Sequence, residues 1–320
     1  MAEERADGDV RTHPPERTPE PAPARATARE RREAWGYEEA TAGRGPRAYR
    51  GLRAYQGVRV YFLIVGMWVR STMAYRTSFV IMTLGNLIVT ALDFAVIALM
   101  FSHVDVLGGF GLAEVTFLYG TSSTAFGITD LLFGSTERIG RRVRDGTMDT
   151  LLVRPVPVLA QVAADRFALR RMGRIVQGVV LLGWSLAHLD VDWTWDRVLL
   201  LPVMLVSGAA IFASLFVAGA AFQFWASDAA EVQSSFTYGG TTLLQYPPTV
   251  FTTEVLRAVV FVIPLAFVNW LPALHILDRP QPIGLPGWVG FGAPLVAVAC
   301  CALAGLAWGA GLRAYRSTGS

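Results

Sequence analysis

The stretch "SFVIMTLGNLIVTALDFAVIALMF", residues 78–101, holds one charged side chain in 24 positions. A helix of about 20 apolar residues spans the roughly 30 Å hydrocarbon core of a bilayer. Backbone polar groups in lipid must be satisfied internally, so only helices and closed barrels can cross it. Further apolar runs lie at about 113–134, 174–188, 198–225 and 287–312. Together they predict an all-α integral membrane protein. Charged residues make up 17% of the chain, whereas soluble domains carry about 25%.

The count of crossings turns on residues 226–286. Hydropathy selects "VVFVIPLAFVNWLPALHIL" (259–277) as the fifth, and "EVQSSFTYGGTTLLQ" (231–245) is the more polar candidate. Either choice gives six spans with both termini on one side. Earlier in the chain, "YQGVRVYFLIVGMWVRSTMAYR" (55–76) has an apolar centre from Val60 to Val69, too short to span. Arg59 and Arg70 are eleven residues apart and fall near one helical face. That pattern suits a helix lying in the membrane interface, with its arginines among the headgroups. Residues 1–50 are rich in Arg, Glu, Pro and Ala and predict a disordered tail.

Arginine placement sets the orientation. The connections at 102–112 and 189–196 contain none, and the second carries Asp190, Asp192 and Asp196. The tail, the 135–174 loop and the C-terminal "GLRAYRSTGS" all bear arginine and are expected in the cytoplasm. From Glu137 to Arg174 the loop holds nine arginines against four acids. Within it, "GTMDTLLVRP" (146–155) has the marks of a short helix. Gly146 and Thr147 can open it, Asp149 favours its positive end, and Pro155 closes it. Met148, Leu151 and Leu152 then form a small apolar face, which in a cytoplasmic loop needs a membrane surface or a protein groove to cover it.

Several function classes are excluded. The chain contains no lysine, so it has no Walker A loop, whose Lys reaches the nucleotide phosphates. Its arginine-only basic content, with abundant Ala, Gly and Pro, fits a GC-rich bacterial genome. Cys300 and Cys301 are adjacent in an apolar run, which suits neither a disulfide nor a metal. The four histidines lack metal-ligand spacing, so no metal or catalytic site is expected. The basic loop has one aromatic, Phe167, which argues against nucleic acid. Asp93 and Asp130 fall inside the first two spans, where a carboxylate costs roughly 2.5–3.5 kcal/mol on insertion scales. They should face protein or water, either lining a substrate path or pairing with an arginine of the interfacial helix. Gly305 and Gly309 in the last span can let a second helix approach closely.

At the loop the residues reach a resemblance. "GTMDTLLVRPVPVLAQVAADRFALRRMGR" and "LLQYPPTVFTTEVLRAVVFVIPLAFVNWLPALHIL" resemble, in this order, two motifs of the membrane subunit of ABC-2 type exporters. The first is similar to a subfamily's Gly-x-Leu-Asp-x-Leu-Leu-x-Arg-Pro loop, the second to its Tyr-Pro … Ile-Pro … Pro-Ala segment. The similarity covers about residues 50–316. It implies a six-span permease domain over 51–320, paired with a second permease subunit, identical or sister. It also implies a cytoplasmic coupling helix seated in a groove of a separate cytosolic ATPase, which would bind the ATP and Mg. Carried over by position, Gly146, Thr147, Asp149, Leu151, Leu152, Arg154 and Pro155 form that helix, with Met148 on its apolar face. Glu137 and Arg138 stand farther upstream than the wider family's Glu-Arg pair, so its role is not assigned to them. The resemblance further implies that 228–246 crosses, while 248–274 forms an external half-membrane hairpin involving Pro247, Pro264, Asn269 and Pro272. The expected function is the permease subunit of an exporter in a bacterial plasma membrane, surrounded by lipid. The rival expectation is a transporter driven by an ion gradient, with ionisable residues at the midplane of several spans.

Overall fold

The computed structural model describes residues 46–316. By contacts the chain divides into two units, 1–52 and 53–320. Most of the first, and with it most of the expected tail, lies outside the described residues. The described chain is helical and contains no strand.

Helix α1 runs Pro46–Ala74. After a break at Tyr75, α2 runs Arg76–Phe101, α3 Leu112–Phe133, α7 Met172–His188, α8 Trp195–Phe222, α9 Ala230–Leu244 and α12 Ala293–Ala314. Three short helices lie between α3 and α7: α4 (Ile139–Arg144), α5 (Asp149–Leu152) and α6 (Val158–Ala164). Two more, α10 (Thr253–Arg257) and α11 (Trp270–Ile276), lie between α9 and α12. Among the described residues three helical stretches are long and apolar enough to cross a membrane: Arg76–Phe101, Trp195–Phe222 and Gly287–Ala314.

Helix α3 is long enough but too polar in composition to join them, and its polar residues are covered by protein. Every residue from Val115 to Gly127 is buried, including Thr116, Thr121, Ser122, Ser123 and Thr124. Hydroxyls can stay in such a place by bonding back to helix carbonyls. Thr116 Oγ1 donates to Leu112 O at 2.7 Å and Thr121 Oγ1 to Phe117 O at 2.8 Å. Thr129 Oγ1 reaches Ala209 O on α8 at 2.7 Å, tying the two helices together. The α3–α7 contact is closer still. A Cβ added at Gly120 or Gly178 would stand 2.8 Å from the backbone nitrogen of Leu182 or Thr124. Glycine at these two positions lets the backbones meet.

The 259–277 segment forms no straight span. Helical residues Thr253–Val262 and Leu265–Ile276 meet at 80°, with the break at Ile263 and Pro264. Proline there has no N–H to continue the ladder. Asn269, fully buried, holds the bend in place: its Nδ2 donates to Leu118 O and Leu244 O, each at 3.0 Å. Pro247 follows the end of α9 and leads into the turn Pro248–Val250, and Pro272 lies buried in the first turn of α11, where a missing N–H costs least.

Candidate functional site

The loop between α3 and α7 is fastened to the rest of the chain. Gly146 takes φ +65°, a left-handed conformation natural to glycine. Helix α5 that follows is a single turn, Asp149–Leu152, shorter than the 146–155 helix expected. Its expected apolar face is divided. Met148 and Leu151 are 0% and 6% exposed, packed in a cluster with Ile139, Val162, Ala220, Phe224, Ala304 and Trp308. Leu152 and Val153 are 42% and 85% exposed. One helical step of 100° separates Leu151 from Leu152, and a one-turn helix cannot bury both. The cover required for Met148 and Leu151 is therefore this chain itself, at α8 and α12. Burying each such side chain stabilises the loop by about 1.5–3 kcal/mol.

Polar contacts complete the attachment. Gln161, 4% exposed, donates through Nε2 to Leu151 O at 3.1 Å and Val156 O at 3.0 Å. Gly140 N donates to Gln223 Oε1 at 2.7 Å, and Gln223 Nε2 to Gln233 Oε1 at 2.6 Å, linking α4, α8 and α9. Arg142 pairs with Asp165, and Arg144 with Asp228. Tyr315, just past α12, donates its hydroxyl to Asp149 Oδ1 at 2.9 Å. Burial, followed by this bond and the Asp149 charge, raises the Tyr315 pKa above its ordinary value. Thr147, Arg154 and Pro155 are exposed. None of the three glutamines, nor Tyr315, was singled out in the sequence; the one available signal was an amide side chain inside or beside an apolar run.

At the loop's root lies a buried ionic cluster. Arg171 Nη1 stands 3.3 Å from Asp130 Oδ1 and donates to Asp130 O at 2.7 Å. Tyr238 of α9 donates to the same Oδ1 at 3.1 Å. The arginine thus comes from the turn before α7, and not from the interfacial segment as one of the two expectations had it. A buried carboxylate needs its cation close by, and Arg171, directly before α7, which packs on α3, supplies it. Glu137, beside them, has its pKa pushed up to about 7 by burial first and then by the Asp130 charge, against the pull of Arg171 and Arg138.

Asp93 lies elsewhere, exposed on α2 at the rim of a cavity of about 230 Å³. Tyr119, Arg174, Tyr238, Thr241 and Gln245 also line this cavity. The Arg174 guanidinium stands 5.0 Å from the Phe126 ring and 5.8 Å from that of Tyr238. Tyr238 therefore joins the two acids' surroundings, bonding Asp130 and facing the cavity that Asp93 borders. Gly305 and Gly309 on α12 meet no neighbour within 4 Å. Among the described residues no His, Cys, Asp or Glu group comes together in a form that could hold a metal.

The comparisons with known proteins give one match. No curated protein and no solved structure matches the chain. The family model described as ABC-2 family transporter protein matches residues 87–319. That match takes in α3, the fastened loop, the ionic cluster and the bent 253–276 segment, and the chain belongs to the ABC-2 transporter family as a membrane permease.

Proposed function

We propose that this chain is the transmembrane subunit of an ATP-driven exporter, worked through the 135–174 loop by a separate cytosolic ATPase. The observation that carries this reading is the two-sided build of α5. Met148 and Leu151 are locked between α8 and α12, while Leu152, Val153, Arg154 and Pro155 face outward. A push on the outer residues would move α8 and α12, both apolar enough to cross a membrane, as one body. Arginine asymmetry supports a cytoplasmic location for this loop and both termini. The crossings in this reading are α2, α3, α7, α8, α9 and α12, and 253–276, bent by 80°, is read as a re-entrant hairpin and not as a broken span. Helix α1 would lie in the interface against the loop, as its contacts suggest. A Cβ on Gly57 would stand 3.2 Å from Pro157 Cγ, and Tyr61 OH donates to Leu132 O at 3.0 Å. ATP and Mg would be held by the partner, and a second permease subunit would complete the path.

The test is co-purification with ABC ATPase subunits encoded in the same genome, each co-expressed with this chain. Leu152→Asp with Val153→Asp should lower recovery of the ATPase at least about ten-fold, a loss of some 1.4 kcal/mol in affinity. The membrane subunit should fold normally, because both side chains are exposed. Undiminished recovery would overturn the coupling role. Met148→Asp is unsuited to this purpose, since it would place a charge in the packed cluster.

A further inference from the structure

A cavity of about 720 Å³ opens between the end of α1, the start of α2 and residues 166–170. Its lining is of two kinds. Arg138, Arg166 and Arg170 supply guanidinium groups, and Trp68, Phe79 and Met82 supply an apolar wall. Among the described residues none of the three arginines has an ion-pair partner. Of the nearby acids, Asp165 pairs with Arg142 and Asp130 with Arg171 and Tyr238, while Glu137, its pKa pushed up to about 7, carries only part of a charge near neutral pH. Burial, together with the neighbouring charges of Arg171, Arg166 and Arg170, holds the Arg138 pKa below its ordinary value against the opposing pull of Asp165. Arg166 also sits at φ +50°, in the left-handed region. That conformation costs a non-glycine residue roughly 1–2 kcal/mol, and such strain tends to persist where a ligand contact is made.

Three guanidinium groups line one cavity with no carboxylate in direct ion-pair contact among the described residues, which suits an anion, and guanidinium forks match phosphate oxygens in pairs. The apolar wall narrows the choice of anion. Met82 belongs both to the cavity and to an exposed face of α2 that includes Val80, Ile81 and Leu84, at 50%, 65% and 52% exposure. On a membrane helix such a face meets acyl chains. Tryptophan and arginine side by side are also the pair that anchors at headgroup depth. We propose that this cavity binds the phosphate-bearing headgroup of an anionic lipid, with its phosphoryl oxygens on Arg138, Arg166 and Arg170 and its chains along Phe79 and Met82. Asn86 Nδ2, donating to Arg170 O at 3.2 Å, fixes the third arginine's backbone to α2 beside the chains' path. This assignment depends only on the chain's membrane setting and not on the coupling role of the loop.

The test uses the full chain in detergent, titrated with phosphatidylglycerol or with phosphatidylcholine of the same acyl chains, and bound lipid is read by native mass spectrometry. The anionic lipid should be retained about ten-fold better than the zwitterionic one. The triple variant Arg138→Gln, Arg166→Gln, Arg170→Gln should lose that preference, whereas Arg313→Gln, remote on α12, should keep it. An excess of inorganic phosphate should leave the lipid bound. Should the triple variant not fold, Arg166→Gln alone is expected to reduce the preference several-fold. Equal retention of both lipids, a preference that survives these substitutions, or displacement by inorganic phosphate would each overturn the assignment. The last of these outcomes would mark a free-anion site.

Discussion

Tyr315 and Asp149 are 166 positions apart in sequence, yet the tyrosine hydroxyl donates to the aspartate Oδ1 at 2.9 Å. This bond joins the end of the last helix to the one-turn helix α5. Beside it Phe224, 5.5 Å from Trp308 and 6.1 Å from Tyr315 between ring centroids, closes the seam between α8 and α12. The loop therefore has a polar latch next to an apolar seat.

Removing only the latch should loosen only the loop. A hydrogen bond to a charged group is worth about 1.5–3 kcal/mol when buried, and less at this half-exposed place. Tyr315→Phe keeps the ring and should raise amide hydrogen exchange over 147–153 by several-fold. Exchange in α3 and α7 should not change. Equal protection in both proteins would show that the seat alone holds the loop.

Adjacent leucines should differ sharply. Leu151 is 6% exposed and Leu152 is 42%. Truncating a buried leucine costs about 2–5 kcal/mol, while exposed changes stay near 0.5 kcal/mol. Leu151→Ala should lower the detergent-solubilised melting temperature by several degrees, and Leu152→Ala should barely move it. Similar losses from both would contradict the divided face described above.

Those leucines also mark how far the sequence could be read. The long apolar runs at 78–101 and 287–312 specify α2 and α12 by themselves, because lipid demands about 20 apolar residues whatever the neighbours do. The loop motif, too, was legible as a place. Which side of it faces inward was not, because Met148, Leu151 and Leu152 fit one face equally well on paper. Only the position of Ala220, Ala304 and Trp308, far off in sequence, decides that two are covered and one is not. The same holds for Asp130. Its burial could be inferred from its span, but Arg171 as partner required knowing that α7 packs on α3 through glycines. Asn269 shows the limit from the other side: a polar residue in an apolar stretch marks a bend, yet its carbonyl acceptors come from α3 and α9.

Glu137 gives the chain a pH-dependent stability of definite sign. Its pKa is pushed from 4.5 to about 7, and its Oε1 is buried without a hydrogen-bond partner. Between these values the folded chain holds a proton that the unfolded chain has released, so stability falls as pH rises through this window. The contribution is complete below 4.5 and lost above 7. Glu137→Gln, which mimics the protonated form, should melt with wild type at low pH and above it at pH of about 8. A variant less stable than wild type at the alkaline end would show that the ionised carboxylate is the form the fold prefers.

The bend at Pro264 makes the last prediction a matter of sidedness. If 259–277 crossed the membrane as a straight helix, Arg257 would emerge in the cytoplasm beside the loop arginines. The 80° angle between Thr253–Val262 and Leu265–Ile276 breaks such a helix, and in the proposed arrangement the second arm leads back toward the side the chain came from. Arg257 is exposed on α10, and a guanidinium there is tolerable only at an aqueous surface. With Cys300 and Cys301 first replaced by alanine, the Arg257→Cys chain in intact cells should react with a membrane-impermeant maleimide. A cysteine at Arg313 should react only after the cells are opened, because α12 ends on the opposite side in this arrangement. Protection of the position-257 cysteine until lysis would place it with Arg313 and restore the straight crossing. The Asn269 bonds to Leu118 and Leu244 would then have to belong to a different packing of α11.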